Sequence, residues 1–156
     1  MDPFVAFKYL HIVSMFFAIA LAISGELVVR RVATSHDVRA IRTTVERVRP
    51  LANISTILFL AGAAFGIVAA LTGQIDLLAR WLILAYVAFI GAMLIGIFIT
   101  DPWVGRLSKA AAESPDGEAS DGLRAVIADP LARSATWGLM GIIAALVFIM
   151  VVKPLG

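Results

Sequence analysis

LLARWLILAYVAFIGAMLIGIFIT, Leu77–Thr100, carries one charge, Arg80 near its start, and no other charged residue to its end. As a helix, its uncharged part rises about 30 Å, the thickness of a bilayer's hydrocarbon core. Three more runs repeat the pattern: Phe4–Val29, Ala52–Thr72 and Leu131–Val152. Inside lipid only helices or closed barrels satisfy every backbone group, and these runs lack the polar alternation and short length of barrel strands. The sequence therefore predicts an all-α integral membrane protein, a four-transmembrane-helix bundle with spans at about residues 4–29, 52–72, 77–100 and 131–152. Composition agrees, since 61% of the 156 residues are hydrophobic and mean hydropathy is +0.96, more than one soluble core needs.

The first run has a rival reading as a signal peptide, because FFAIALAISG, Phe16–Gly25, holds small residues at A-x-A spacing. Its apolar character persists to Val29, too far for a signal h-region, so it reads as a retained span. There is no cysteine, which removes disulfides, thiolate metal sites and palmitoylation. No phosphate-binding glycine loop, H-E-x-x-H or nucleophile elbow occurs, so nothing in the motifs licenses an enzymatic reading.

Orientation follows from the basic residues. Arg30, Arg31, Arg39, Arg42, Arg47 and Arg49 lie between spans 1 and 2, and Arg106, Lys109, Arg124 and Arg133 lie between spans 3 and 4 or at the start of span 4. Only Lys8, Arg80 and Lys153 belong to the other side. The positive-inside rule then puts both termini outside, which in a bacterium means a periplasmic N-terminus and C-terminus of an inner-membrane protein. The net charge of +2 is thus a topological signal, and no motif or basic domain points to nucleic acid. Trp81 and Trp103, about 33 Å apart along a helix, are expected to bracket span 3 at the two interfaces. Asp129-Pro130 is a helix start, with Asp129 as N-cap and Pro130 at the first position.

The chain reads as one membrane domain with two inner connections. RRVATSHDVRAIRTTVERVRP, Arg30–Pro50, repeats Val38, Ile41, Val45 and Val48 at helical spacing amid arginines. It predicts a basic amphipathic helix capped by Thr34 or Ser35, closed by Pro50, and lying on anionic lipid headgroups of the inner leaflet; a docking face for a partner is the alternative. His36 reads as a solvated residue of this loop. ESPDGEASDG, Glu113–Gly122, marks residues 101–130 as an acidic, flexible inner connector without the ligand spacing of a calcium loop. Small residues define close-packing faces: Gly62 and Gly66 on span 2, Ala18, Ala22 and Gly25 on span 1, and Gly141 and Ala145 on span 4.

Ionisable residues inside a membrane are the best functional pointers, because each is costly unless paired, hydrated or snorkelled. The middles of spans 2 to 4 have essentially none, which argues against a pump or an ion-coupled transporter. Span 1 holds Lys8, His11 and Glu26. Glu26 lies four residues before Arg30 and reads as an ion pair with it, or else as a proton or cation site. Lys8 and His11 share a helix face, with Met15 one turn further on. Three uses of this face stay open. His11 is an axial haem or porphyrin ligand with Lys8 holding a propionate, a copper ligand with Met15 and Met1, or a structural residue hydrogen-bonded across the bundle.

FKYLHIVSMFFAIALAISGELVVRR, NISTILFLAGAAFGIVAALTG and ARWLILAYVAFIGAML resemble a family of predicted bacterial integral membrane proteins of unknown function, over most of the chain. The K-x-x-H of Lys8 and His11 is also similar to the first helix of the copper-resistance D family and of the bacterial membrane protoporphyrinogen oxidase. The second resemblance implies haem binding at His11 with Lys8 as a supporting charge. The oxidase pattern departs here, since span 3 carries no buried lysine and no second histidine is at hand. The residues rank a non-catalytic subunit or scaffold, packing with other membrane-protein subunits or with itself, ahead of a haem-binding redox protein. A copper transport or tolerance protein comes third.

Overall fold

The computed structural model describes residues 2–154, which hold six α-helices and one π-helical turn and no strand among the described residues. They are α1 (Pro3–Ala33), α2 (Val38–Thr72), α3 (Arg80–Ile95), the π-turn (Gly96–Thr100), α4 (Asp101–Glu113), α5 (Asp121–Ile127) and α6 (Pro130–Val152). Four helical runs are long and apolar enough to cross a membrane, based on α1, α2, α3 with its continuation, and α6. The start of α1 and the end of α6 lie at one end of the bundle, here the terminal end, beside the close of α2 and the start of α3. The α1–α2 turn and the α4–α5 segment lie at the other, the connection end.

Capping residues set where the helices begin. Asp2 accepts from Phe4 N–H at 3.0 Å ahead of Pro3, and Asp129 accepts from Leu131 and Ala132 N–H at 2.9 and 3.3 Å ahead of Pro130. The cap of α2 is Asp37, whose carboxylate accepts from Ala40 N–H at 3.0 Å, and not Thr34 or Ser35. Those two hydroxyls instead donate to the Arg31 and Val32 carbonyls, closing α1. Between them and Asp37 the chain reverses at His36, whose φ of 59° is left-handed.

Helix α2 also runs through Pro50 instead of ending there. A proline costs a helix one ladder bond and a clash, but both halves of α2 are anchored by packing on either side of it. Pro102 produces a local response: the Asp101 N–H reaches back to Gly96 O, the wider π spacing, just before α4 resumes regular geometry.

The connection end contains a core that the sequence reading does not anticipate. Val38, Ile41 and Val45 of α2 are buried against Val29 and Ala33 of α1, Trp103, Leu107 and Ala111 of α4, Leu123 of α5 and Ala132 of α6. The apolar face of residues 38–48 is therefore covered by protein instead of lying on lipid. Residues 101–130 form α4 and α5 around the same core, correcting their reading as a connector. The turn at Ser114–Gly117 remains, and Gly117 supplies the φ of 102° that a side chain would resist. Trp103 is 1% exposed, donates Nε1–H to Val126 O at 2.9 Å, and is a core residue instead of an interfacial anchor.

Through the spans, packing is pairwise. Helix α1 lies antiparallel to α2 along its length, with Phe4 at Gly73, His11 at Gly66, Met15 at Gly62 and Val48 at Gly25. Ser55 Oγ donates to Ala18 O at 2.9 Å in the same seam. Helices α3 and α6 form the second pair, and Lys153 Nζ sits 5.2 Å from the Trp81 ring centre at the terminal end. The pairs meet through Phe59 and Phe89, whose ring centres are 6.3 Å apart, and through Glu26 and Thr136.

Candidate functional site

The small-residue face of α2 explains where His11 goes. With no side chain at Gly62 or Gly66, α1 approaches closely enough for the imidazole to enter the notch. His11 Nδ1 lies 2.7 Å from Gly62 O. A carbonyl only accepts, so Nδ1 carries a proton, and in the neutral ring the lone pair is then on Nε2. A Cβ at Gly66 would stand 2.8 Å from Nδ1 and 3.0 Å from Cε1, so glycine is required by the ring itself. Met15 fills the adjacent notch, its Sδ 3.3 Å from where a Gly62 Cβ would be.

Of the residues the sequence singles out, the structure brings His11 and Met15 together along Gly62 and Gly66. It leaves Lys8 exposed, with Nζ 5.6 Å from the Phe4 ring centre, in the direction of the terminal end. Met1 lies outside the described residues. Among those described, no three His, Asp or Glu side chains gather as a metal site, so a copper ion here would depend on His11 and Met15 with a donor from elsewhere. For haem, the tautomer is the one an axial ligand needs, because Nδ1–H bonded to a carbonyl orients the ring and leaves Nε2 to bind iron. Nδ1, Cε1 and Cγ are the ring atoms turned to Gly66, which closes that side; a macrocycle would have to come to Nε2 from elsewhere.

The second polar cluster joins the helix pairs at the connection end. Glu26 Oε1 accepts from Arg30 Nε at 2.6 Å and from Thr136 Oγ1 at 2.6 Å. Arg30 Nη2 donates to Ala132 O, and its guanidinium lies 4.4 Å from the Trp103 ring centre. The side chains of Glu26 and Arg30 are only 8% and 19% exposed, so desolvation is met by these four contacts. The i,i+4 spacing of Glu26 and Arg30 is legible in sequence; Thr136, Ala132 and Trp103 as partners are not.

A third feature is an open polar cleft of about 850 Å³ between His36 and Arg39 on one wall and Asp116, Glu118 and Arg124 on the other. Asp116 accepts from Arg39 at 3.0 Å and from Arg42 at 2.7 Å. The hydrogen bond and charge of Arg39, followed by those of Arg42, hold its carboxyl below the usual carboxylate range. His36 and His11 are at opposite ends of the bundle, so they do not share a site.

Together these features describe a helical chain with four helices long and apolar enough to cross a membrane, in which Glu26, Arg30 and Thr136 bond one another and His11 and Ser55 bond carbonyls of the neighbouring helix. Compared with protein-family models, with curated proteins and with solved structures, the chain finds no match in any of the three.

Proposed function

We propose that this chain is a non-catalytic subunit of the bacterial inner membrane, with both termini periplasmic, that packs with other membrane-protein subunits or with a second copy of itself. The observation that carries this reading is an asymmetry among small residues. On α2, Gly62 and Gly66 are filled by Met15 and His11, whereas a Cβ added at Gly138 or Gly141 of α6, or at Gly91 of α3, would meet nothing. Small, open helix faces let a neighbouring helix come close. Among the described residues no buried side-chain nitrogen or oxygen lacks a partner. Such groups are committed to holding the fold. The test is cysteine cross-linking from Gly141→Cys and Ala145→Cys in native membranes. A discrete cross-linked band of defined mass is expected. Free monomer from both positions would overturn the reading.

The haem reading is kept as second, because the Nδ1–H of His11 is pinned to Gly62 O and Nε2 is left with its lone pair. Its measurement is the oxidised and reduced visible spectrum of gently solubilised protein beside His11→Ala. A Soret band that shifts on reduction and vanishes in the variant would replace the subunit reading with redox chemistry.

A further inference from the structure

The cations of the connection end fall into two groups. Arg30, Arg39, Arg42, Arg106, Lys109 and Arg124 are engaged with Glu26, Asp116, Asp129, Glu113 and Glu118. Arg31, Arg47, Arg49 and Arg133 are exposed, and none has an ion pair or side-chain hydrogen bond among the described residues. The second group shares one level of the bundle. Val48 packs at Gly25, which puts Arg47 and Arg49 beside residues 24–26 of α1. The Arg30 contact to Ala132 O sets Arg133, the next residue of α6, near the level of Arg30 along the bundle. Residues 24–31 of α1 rise about 10 Å, so the four guanidinium groups fall within about 10 Å along the bundle.

Direction along the helices agrees. Helix α1 runs toward the connection end, while α2 and α6 run away from it, so the bundle interior lies before Arg31 but after Arg47 and Arg133. One turn in that direction stand Leu27, Leu51 and Trp137, exposed by 46%, 41% and 68%. Arg31, Arg47 and Arg133 thus each have an exposed apolar side chain one turn toward the membrane. That order, acyl-chain contact and then guanidinium, is the order of a phospholipid from tail to phosphodiester. Glu46 and Asp101 are the exposed acids near this level, fewer than the four cations.

We propose that Arg31, Arg47, Arg49 and Arg133 form a collar that binds the phosphodiester headgroups of anionic phospholipids. Guanidinium suits this ligand, because its planar fork matches two phosphate oxygens and it is more weakly hydrated than an ammonium. The collar replaces the amphipathic helix as the means of leaflet attachment, since the apolar face of residues 38–48 is spent on Trp103, Leu107 and Leu123. Attachment is then electrostatic at the headgroup and independent of helix insertion. It rests on the chain crossing a bilayer, which reconstitution into phosphatidylcholine nanodiscs checks separately.

The test uses the full chain in neutral detergent micelles, with phosphatidylglycerol or phosphatidylcholine added and bound lipids counted by native mass spectrometry. The wild type is expected to retain phosphatidylglycerol preferentially and to lose the preference as salt is raised. Each Arg→Gln change is expected to weaken retention roughly fivefold, so R31Q/R47Q/R133Q together remove the preference. K109Q/R124Q, which alters cations already engaged with carboxylates, keeps it. Equal retention of both lipids by the wild type, an undiminished preference in a helical, monodisperse triple variant, or an equal loss in the control would each overturn the collar. Equal binding of glycerophosphoglycerol without acyl chains would overturn the lipid as the ligand.

Discussion

Gly66→Ala tests whether the imidazole is what the α2 notch exists to hold. The added methyl would stand 2.8 Å from His11 Nδ1, closer than real Cβ contacts, so the ring must shift and leave its 2.7 Å bond to Gly62 O. Overpacking costs about 1–3 kcal/mol, and a lost interhelical hydrogen bond in a membrane about 0.6–1.7 kcal/mol. Against this, replacing glycine by alanine within a helix returns up to about 1 kcal/mol. The net destabilisation expected is about 1–4 kcal/mol. In a His11→Ala background the obstacle is gone, because the three atoms nearest the built Cβ all belong to His11. There the same Gly66→Ala change should be neutral or stabilising by up to about 1 kcal/mol. A double-mutant cycle would therefore show a coupling of about 2–5 kcal/mol, well beyond what independent sites give. Reversible unfolding in mixed micelles, followed by far-ultraviolet circular dichroism, supplies the four stabilities. An equal cost of Gly66→Ala in both backgrounds would refute the reasoning.

Other outcomes follow from the connection end. Trp103→Ala removes a fully buried ring, its bond to Val126 O and its contact with Arg30, and should cost about 3–5 kcal/mol. Hydrogen exchange should then rise across α4 and α5 while the α1–α2 seam stays protected; uniform loss would contradict a distinct core. Arg30→Met should cost about 3 kcal/mol by leaving Glu26 buried with only Thr136, and Glu26→Gln should restore part of that loss. Thermal unfolding of the single and double variants decides between rescue and simple addition. Asp116 gives a pH signature. Its carboxyl titrates below the ordinary carboxylate range, so its stabilisation is complete above the unfolded value near 4 and is lost as pH falls through the lower folded value. Exchange protection at residues 115–120 should accordingly drop in strong acid in the wild type, with no such Asp116-dependent step in Asp116→Asn; identical acid profiles would dismiss the Arg39–Asp116–Arg42 contact.

Several of these features are legible in the sequence. Asp129-Pro130 announces the start of α6 because capping is a local matter of one carboxylate and two nearby N–H groups. Glu26 and Arg30 announce their pairing because four residues make nearly one helical turn. Gly62-x-x-x-Gly66 announces a close approach, and His11 a polar group needing a partner. Joining those two statements requires the α1–α2 register, which neither stretch contains. What covers the apolar face of residues 38–48 is out of reach for a related reason. Spacing at Val38, Ile41 and Val45 shows that one face must be covered, and lipid and protein cover an apolar face equally well. Trp103 misleads in the same way, since a tryptophan at the end of an apolar run suits an interface until α5 is found folded against it.

The sequence by itself determined the helical class, the four apolar runs, the cap of α6, and the confinement of span ionisable groups to α1. These depend on hydropathy over about twenty residues and on contacts within one turn, which are properties of a continuous chain. The tertiary structure alone decided that His11 donates to Gly62, that Thr136 and Trp103 complete the Glu26–Arg30 cluster, and which arginines remain unpaired. Those outcomes join residues tens of positions apart, and such pairs are selected by packing register and by competition among partners in space.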